Sequence, residues 1–362
     1  MAEMPRIFTA TTEIQMASPT DVMQRLCARF SEFGEISGQG KCRRIETGFG
    51  TADVEDCGRC LKICAAGKDE VGLAYVKLAM AEHLLGMAIE QPLIVWQGDG
   101  AAGAPLPYFR EMRVVKAINI TPRMRRLTLA GEDLERFAAG GYHVRLLFPR
   151  LQSAAPKWPV MGADGRPTWP VGDDKPDVRI YTMRNIDVAR GEVEIDFVLH
   201  DGDTTPGARF AAGAQAGDLV GMTGPGGGAA PTADWYLLLG DETALPAISR
   251  LIENLPAGAH AVVRIEVENS DEIQPLRTQA ALDVQWFTRD GAAPGGRLPA
   301  ALGAIDWPSD ERRVFAWAGC EFQDFLSIRK HLRNDRKLSR EQHLAVAYWR
   351  RGFCGDEARK DG

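Results

Sequence analysis

The chain has 362 residues, enough for two or three domains at roughly 100–200 residues each. With 45% hydrophobic and 25% charged residues it reads as a globular protein, and a formal charge of −6 without any basic run excludes nucleic acid as the default partner. No stretch approaches the roughly 18 uncharged apolar residues of a membrane span, and the first residues lack the apolar core of a signal peptide, so a cytoplasmic location is expected.

Residues 1–96 predict a small α+β domain. Ser18-Pro19-Thr20-Asp21 is a helix start, with a serine cap, proline at the first helical position and an acid at the third. Val22, Met23, Leu26, Cys27, Phe30 and Phe33 then recur at helical spacing until Gly34. Strands are expected near 43–45 and 61–64, and a second amphipathic helix over 71–89 with Val76, Met80, His83, Leu84 and Met87 on one stripe. Seven cysteines in a long chain do not suggest a secreted disulfide scaffold. Cys57, Cys60 and Cys64 are close enough for a zinc site if Cys42 or His83 supplied a fourth ligand. The preferred reading makes Cys60 and Cys64 small packing residues on one face of a strand and His83 a buried helix residue, with no metal.

The Gly-, Ala- and Pro-rich residues 97–107 form a linker by composition. Short strands follow at 113–118, 126–129, 142–148, 178–183, 193–199 and 218–222, separated by turn residues, which predicts a small antiparallel barrel over 108–232. The proline-rich segment 154–175 interrupts it as a long loop. From 235 the rhythm changes. Strands at 235–239, 261–267, 284–288, 314–318 and 344–348 alternate with helices at 245–255 and 322–333, so a parallel α/β sheet is expected over 233–362.

Arg179-Ile180-Tyr181-Thr182 reads as a flavin clamp at a strand end. An arginine supplies planar donors for a pyrophosphate, an aromatic ring covers the isoalloxazine, and a hydroxyl reaches the flavin edge. Thr205-Pro206-Gly207-Ala208 would open a short helix whose free N–H groups face the same phosphates. His200 ends a strand and could touch the ring system. Gly240-Asp241-Glu242-Thr243 closes the first strand of the sheet domain, where ligands of open α/β sheets bind, although Asp241 or Thr243 could equally cap the next helix. The second strand ends in Arg264-Ile265-Glu266-Val267-Glu268-Asn269. Its acids suit a ribose and Arg264 an extra phosphate, so NADH and NADPH both stay open. Cys320, at a later strand end, could approach a nicotinamide or simply pack.

From about Tyr108 to Gly352 the chain resembles the siderophore-interacting protein family of flavin-dependent ferric-siderophore reductases. The matching pieces are Thr121-Pro122-Arg123-Met124-Arg125-Arg126, His143-Val144-Arg145-Leu146-Leu147-Phe148-Pro149, Arg179-Ile180-Tyr181-Thr182-Met183-Arg184, Asp196-Phe197-Val198-Leu199-His200, Gly240-Asp241-Glu242-Thr243-Ala244-Leu245-Pro246 and Tyr348-Trp349-Arg350-Arg351-Gly352. The N-terminal domain resembles a small domain of unknown function often fused ahead of this family. The resemblance implies a barrel of the ferredoxin-reductase type followed by a pyridine-nucleotide sheet. It also implies that Arg179, Tyr181 and Thr182 hold FAD, with His143, Val144, His200 and Ala208 lining it and Asp241, Glu242, Thr243 and Ala244 completing the site. Many relatives read Ala-Gly-Glu where this chain has Ala318-Gly319-Cys320-Glu321, which leaves the role of Glu321 open.

The activity so implied passes electrons from NADH or NADPH through FAD to a ferric siderophore. An anionic chelate calls for a cationic recess, for which Lys157, Arg264 and Arg289, in loops or at strand ends, are the candidates. Two other readings keep the flavin: a reductase serving a ferredoxin or flavodoxin carrier, and a ferric-chelate-binding flavoprotein without turnover.

Overall fold

In a computed structural model the described residues are 6–87, 91–150, 155–199, 205–228, 230–309 and 311–353. They fall into two compact units, Met1–Phe109 with Leu151–Pro176, and Arg110–Arg150 with Asp177–Gly362.

The first unit runs β1 (Phe8–Gln15), α1 (Pro19–Phe30), β2 (Glu35–Ser37), β3 (Cys42–Thr47), β4 (Gly50–Asp56), β5 (Cys60–Gly67), α2 (Glu70–Met87) and β6 (Gln97–Gly98). Its strands form an antiparallel sheet in the order β2-β3-β4-β5-β1-β6. Alternation does the sorting: along β1, Ala10, Thr12 and Ile14 are buried while Thr9, Thr11 and Glu13 face outward. Ile14, Ile45 and Ile63 of the sheet meet Leu26 and Phe30 of α1 and Met80 and Leu84 of α2 in one core. The α1 start has Pro19 in place, but Ser18 makes no capping bond through its side chain. His83 lies edge-on to Phe30, ring centroids 4.9 Å apart.

Two expectations for this part of the chain change. The first residues of the expected linker are an edge strand: Gln97 and Gly98 pair with Thr11 and Ala10, and the Asp99 N–H donates to the Thr9 carbonyl at 2.9 Å. Residues 155–176 do not belong with the barrel but fold back on the first unit. There β10 (Val160–Met161) and β11 (Pro167–Thr168) form a hairpin. The Trp96 N–H donates to the Ala163 carbonyl at 2.9 Å and its indole Nε1 to the Asp164 carbonyl at 3.0 Å. The physical reason is that Met161 is buried against Leu106 and Tyr108, an apolar patch that would otherwise be open to water.

The second unit begins with β7 (Phe109–Thr121), β8 (Met124–Ala130), α3 (Glu135–Ala139) and β9 (His143–Phe148). It resumes with β12 (Asp177–Asp187), β13 (Glu192–Val198), α4 (Pro206–Gly213) and β14 (Leu219–Gly226). These strands close a barrel in the order β12-β13-β8-β7-β14-β9, filled by Leu127, Leu129, Leu146, Ile195, Phe197 and Met222. The sheet follows as β15 (Trp235–Asp241), α5 (Leu245–Glu253), β16 (His260–Val267), β17 (Ala281–Thr288), α6 (Arg297–Gly303), β18 (Val314–Glu321), α7 (Phe322–Lys330) and β19 (His343–Trp349). Its strands are parallel in the order β17-β16-β15-β18-β19. Strand β15 is buried along its whole length, as its run Trp235-Tyr236-Leu237-Leu238-Leu239 demands. Helix α5 packs on one face and α6 and α7 on the other. The strand order reverses between β15 and β18, so their carboxyl ends flank the crevice where such sheets bind ligands. The fold is thus a closed six-stranded antiparallel barrel with a parallel α/β sheet, preceded by a small α+β unit.

Barrel and sheet are tied by polar contacts. The Glu272 carboxylate accepts the Thr121 hydroxyl and the Arg123 N–H, the latter at 2.9 Å. Arg184 makes a bidentate pair with Glu253 at 2.6 and 2.9 Å. Arg250 donates to the Met183 carbonyl at 2.7 Å and lies over the Tyr142 ring.

Candidate functional site

Two sequence segments far apart meet on adjacent barrel strands. In the antiparallel register of β9 and β12, Thr182 lies opposite His143, Tyr181 opposite Val144 and Arg179 opposite Leu146. Val144 is buried in the barrel core, which fixes the strand beneath the site. Thr182 is 4% exposed, and among the described residues its hydroxyl has no hydrogen-bond partner. That is an expensive arrangement unless something else supplies the partner. Arg179 is half-buried; among the described residues its guanidinium donates to the Val178 carbonyl at 2.8 Å and meets no carboxylate. The Tyr181 ring packs 4.4 Å from Phe197, centroid to centroid.

Helix α4 opens beside this strand. Thr205 is extended, Pro206 presets the first turn, and Ala208 is buried. Gly207 is required by close approach: a Cβ there would run into the Tyr181 hydroxyl. The sequence-predicted His200 lies outside the described residues. His143 bridges toward the sheet, its Nε2 standing 2.7 Å from the Tyr348 hydroxyl at the end of β19, with the two rings edge-on.

At the carboxyl ends of the sheet, Asp241 binds inward. One carboxylate oxygen accepts the Thr243 N–H at 2.9 Å and the Thr243 hydroxyl at 2.5 Å; the other accepts the Glu321 N–H at 3.1 Å and the Trp349 indole at 2.8 Å. One side chain thereby ties the ends of β15, β18 and β19. Burial, then the neighbouring Glu242 charge, pushes the Asp241 carboxyl up to about 7 against the pull of the Thr243 and Trp349 bonds. Ala244, fully buried, is the residue that starts α5. Glu321 caps α7 by accepting the Gln323 N–H at 2.6 Å and also accepts the Arg351 N–H at 3.1 Å. Cys320 is a packing thiol in the α6–α7 core, its pKa raised by burial.

The candidate cations need correction. Arg289 is not a recess cation: its side chain is 2% exposed and clamps Glu242 through both nitrogens, with Glu268 at 3.1 Å and Glu266 at 3.4 Å. Burial opposes its charge, but these carboxylates hold the proton more firmly than usual. Arg264 lies in mid-strand, not at the strand end, and pairs with Asp283 at 2.9 Å across β16 and β17. Lys157 is exposed, belongs to the first unit and pairs with Asp174 at 2.7 Å. Sequence reasoning missed Tyr348 and Trp349 as site residues, although the run Tyr348-Trp349-Arg350-Arg351-Gly352 was there to find them.

Comparison with known proteins places the chain in a family. Residues 113–229 match the siderophore-interacting FAD-binding domain, and residues 233–352 match the siderophore-interacting protein family. The ferric vibriobactin reductase of Vibrio cholerae is 32% identical over 249 residues, covering 68% of this chain and 90% of that protein. The NADPH-dependent ferric-chelate reductase of Escherichia coli is 30% identical over 67% of this chain and 92% of that one. Among solved structures, a siderophore utilization protein from T. fusca is similar with a TM-score of 0.57 and 37% identity, over 69% of this chain and 96% of its own. With family models matching 113–229 and 233–352 and near-full coverage of these relatives, the chain belongs to the siderophore-interacting protein family.

Proposed function

We propose that this chain is a flavin-dependent ferric-siderophore reductase, with FAD on the barrel and NADH or NADPH at the sheet. The observation that carries the reading is the buried Thr182 hydroxyl, which has no partner among the described residues and shares β12 with Arg179, whose guanidinium meets no carboxylate among them. These residues fit the flavin: Arg179 and the α4 N-terminus would hold its pyrophosphate, Thr182 would hydrogen-bond the ring system, and Tyr181, His143 and Val144 would line it. Asp241, Glu242, Thr243 and Ala244 would support the site from the sheet, Asp241 by keeping three strand ends together. When bound, FAD accepts a hydride from the reduced nucleotide and delivers electrons singly to Fe(III) in the chelate. The hard oxygen donors of a siderophore hold Fe(II) less tightly than Fe(III), so reduction frees the metal.

The protein's part is to bind, orient and exclude water. Arg289 faces three carboxylates and Arg264 pairs with Asp283, so neither guanidinium is free for an anionic chelate and the cationic recess is not built from them. A reduced pyridine nucleotide as donor supports a cytoplasmic setting. No helix among the described residues is long and apolar enough to cross a membrane.

The test is anaerobic absorbance spectroscopy of the FAD-loaded protein. NADH or NADPH should bleach the flavin band, and a ferric siderophore should restore it while a ferrous-specific dye develops colour. Bleached flavin that ignores every ferric chelate favours a carrier-protein reductase, and flavin that never bleaches favours a binding protein. Failure to take up FAD at all would refute all three readings.

A further inference from the structure

The hairpin joining β4 to β5 brings two thiols face to face. Asp56 pairs with Leu61, so Cys57 and Cys60 are the next cross-strand pair, and the Cys57 N–H donates to the Cys60 carbonyl at 3.0 Å. Residues so opposed in an antiparallel pair have Cα atoms about 4.5–5.5 Å apart, inside the range a disulfide spans. The turn between them is held from outside: the Asp56 carboxylate accepts the Gly58 N–H at 2.8 Å and the Thr20 hydroxyl of α1. Gly58 occupies a φ of +89°, which a side chain would resist. Cys57 is exposed, whereas Cys60 is 6% exposed and its thiol donates to a Glu13 carboxylate oxygen on β1 at 3.3 Å.

We propose that Cys57 and Cys60 are a redox-active dithiol that exchanges with low-molecular-weight disulfides, a chemistry separate from the flavin site. The Cys57 thiolate attacks one sulfur of the external disulfide; that S–S bond breaks and one thiolate leaves, to be protonated by water. Cys60 then attacks the Cys57 sulfur, its proton passing to Glu13 as the new S–S bond forms and the second thiolate departs. The protein gives up two electrons and two protons, and the external disulfide becomes two thiols.

The asymmetry of the pair sets this order. Burial, followed by Glu13 and Cys57, pushes the Cys60 thiol up to about 11, so it stays protonated until a base beside it takes the proton. Exposure makes Cys57 the sulfur an external disulfide reaches first. Among the described residues no group of three His, Cys, Asp or Glu is placed to hold an ion.

The full chain should be incubated with oxidised glutathione, its remaining thiols alkylated, and the protein cut with trypsin, which cleaves after Arg59 between the two cysteines. The expected product is a pair of peptides joined through Cys57 and Cys60, lighter by two hydrogens and separated by dithiothreitol. Cys60→Ser should stop at a glutathione adduct on Cys57. Glu13→Gln should slow ring closure about tenfold and leave the first adduct's rate unchanged. An adduct on Cys57 that persists in the parent chain, a bridge from Cys57 to Cys42, or no reaction at Cys57 while exposed Cys42 is modified would each overturn the proposal. FAD content measured on the same samples reports separately on the flavin reading.

Discussion

Thr182 carries a cost that the polypeptide alone does not recover. Its hydroxyl is out of contact with water and, among the described residues, bonds to nothing. Thr182→Val keeps the shape and removes the oxygen. The ligand-free protein should therefore be unchanged or more stable by about 1 kcal/mol, while FAD binds about tenfold more weakly. Thermal melts without flavin and a flavin titration check the two halves. A purely structural threonine would give the opposite signs. The sequence singled out this residue because Arg-x-Tyr-Thr sets a guanidinium, a ring and a hydroxyl within four positions. Arg289 was misread for a reason a sequence hides: a lone cation in a loop looks free until Glu266 of β16 and Glu242 and Glu268, just past the ends of β15 and β16, meet it.

Element ends, more than element middles, decide this site. Asp241 joins three strands through four accepted hydrogen bonds, and its carboxyl is raised from 3.8 to about 7. The folded state therefore takes up a proton that the unfolded chain has released. The stabilisation from that uptake is complete below about pH 4 and disappears as the pH rises through about 7. Asp241→Asn should flatten the corresponding part of the stability profile. It should also lower stability by about 1–3 kcal/mol above about pH 7, because whichever way the amide turns its NH2 meets two hydrogen-bond donors and can accept from neither. Denaturant midpoints across that range give both quantities. The long periodic elements α1, α2, α5 and β15 were readable from spacing. Strand β1 escaped because Thr9-Ala10-Thr11-Thr12-Glu13 hides its alternation behind threonines, and α6 because seven residues offer too few turns for a period to register.

In the second unit the barrel and the sheet act as one body through a few buried polar ties. Glu272, 4% exposed, receives Thr121 and Arg123 from the β7–β8 turn. Glu272→Ala should destabilise the protein by about 1–3 kcal/mol and broaden or split its calorimetric transition, as barrel and sheet come apart separately. A single sharp transition with unchanged midpoint would show the tie to be idle. None of these ties was visible in the sequence, since each joins residues 67 to 151 positions apart that no local pattern relates.

The detour of Leu151–Pro176 back to the first unit has a consequence for biosynthesis. The amino-terminal part of the polypeptide is translated first, yet it cannot finish folding first. Trp96 waits for the Ala163 and Asp164 carbonyls until β7, β8 and β9 have emerged from the ribosome. Completion of the first unit is therefore deferred until part of the barrel sequence has been made.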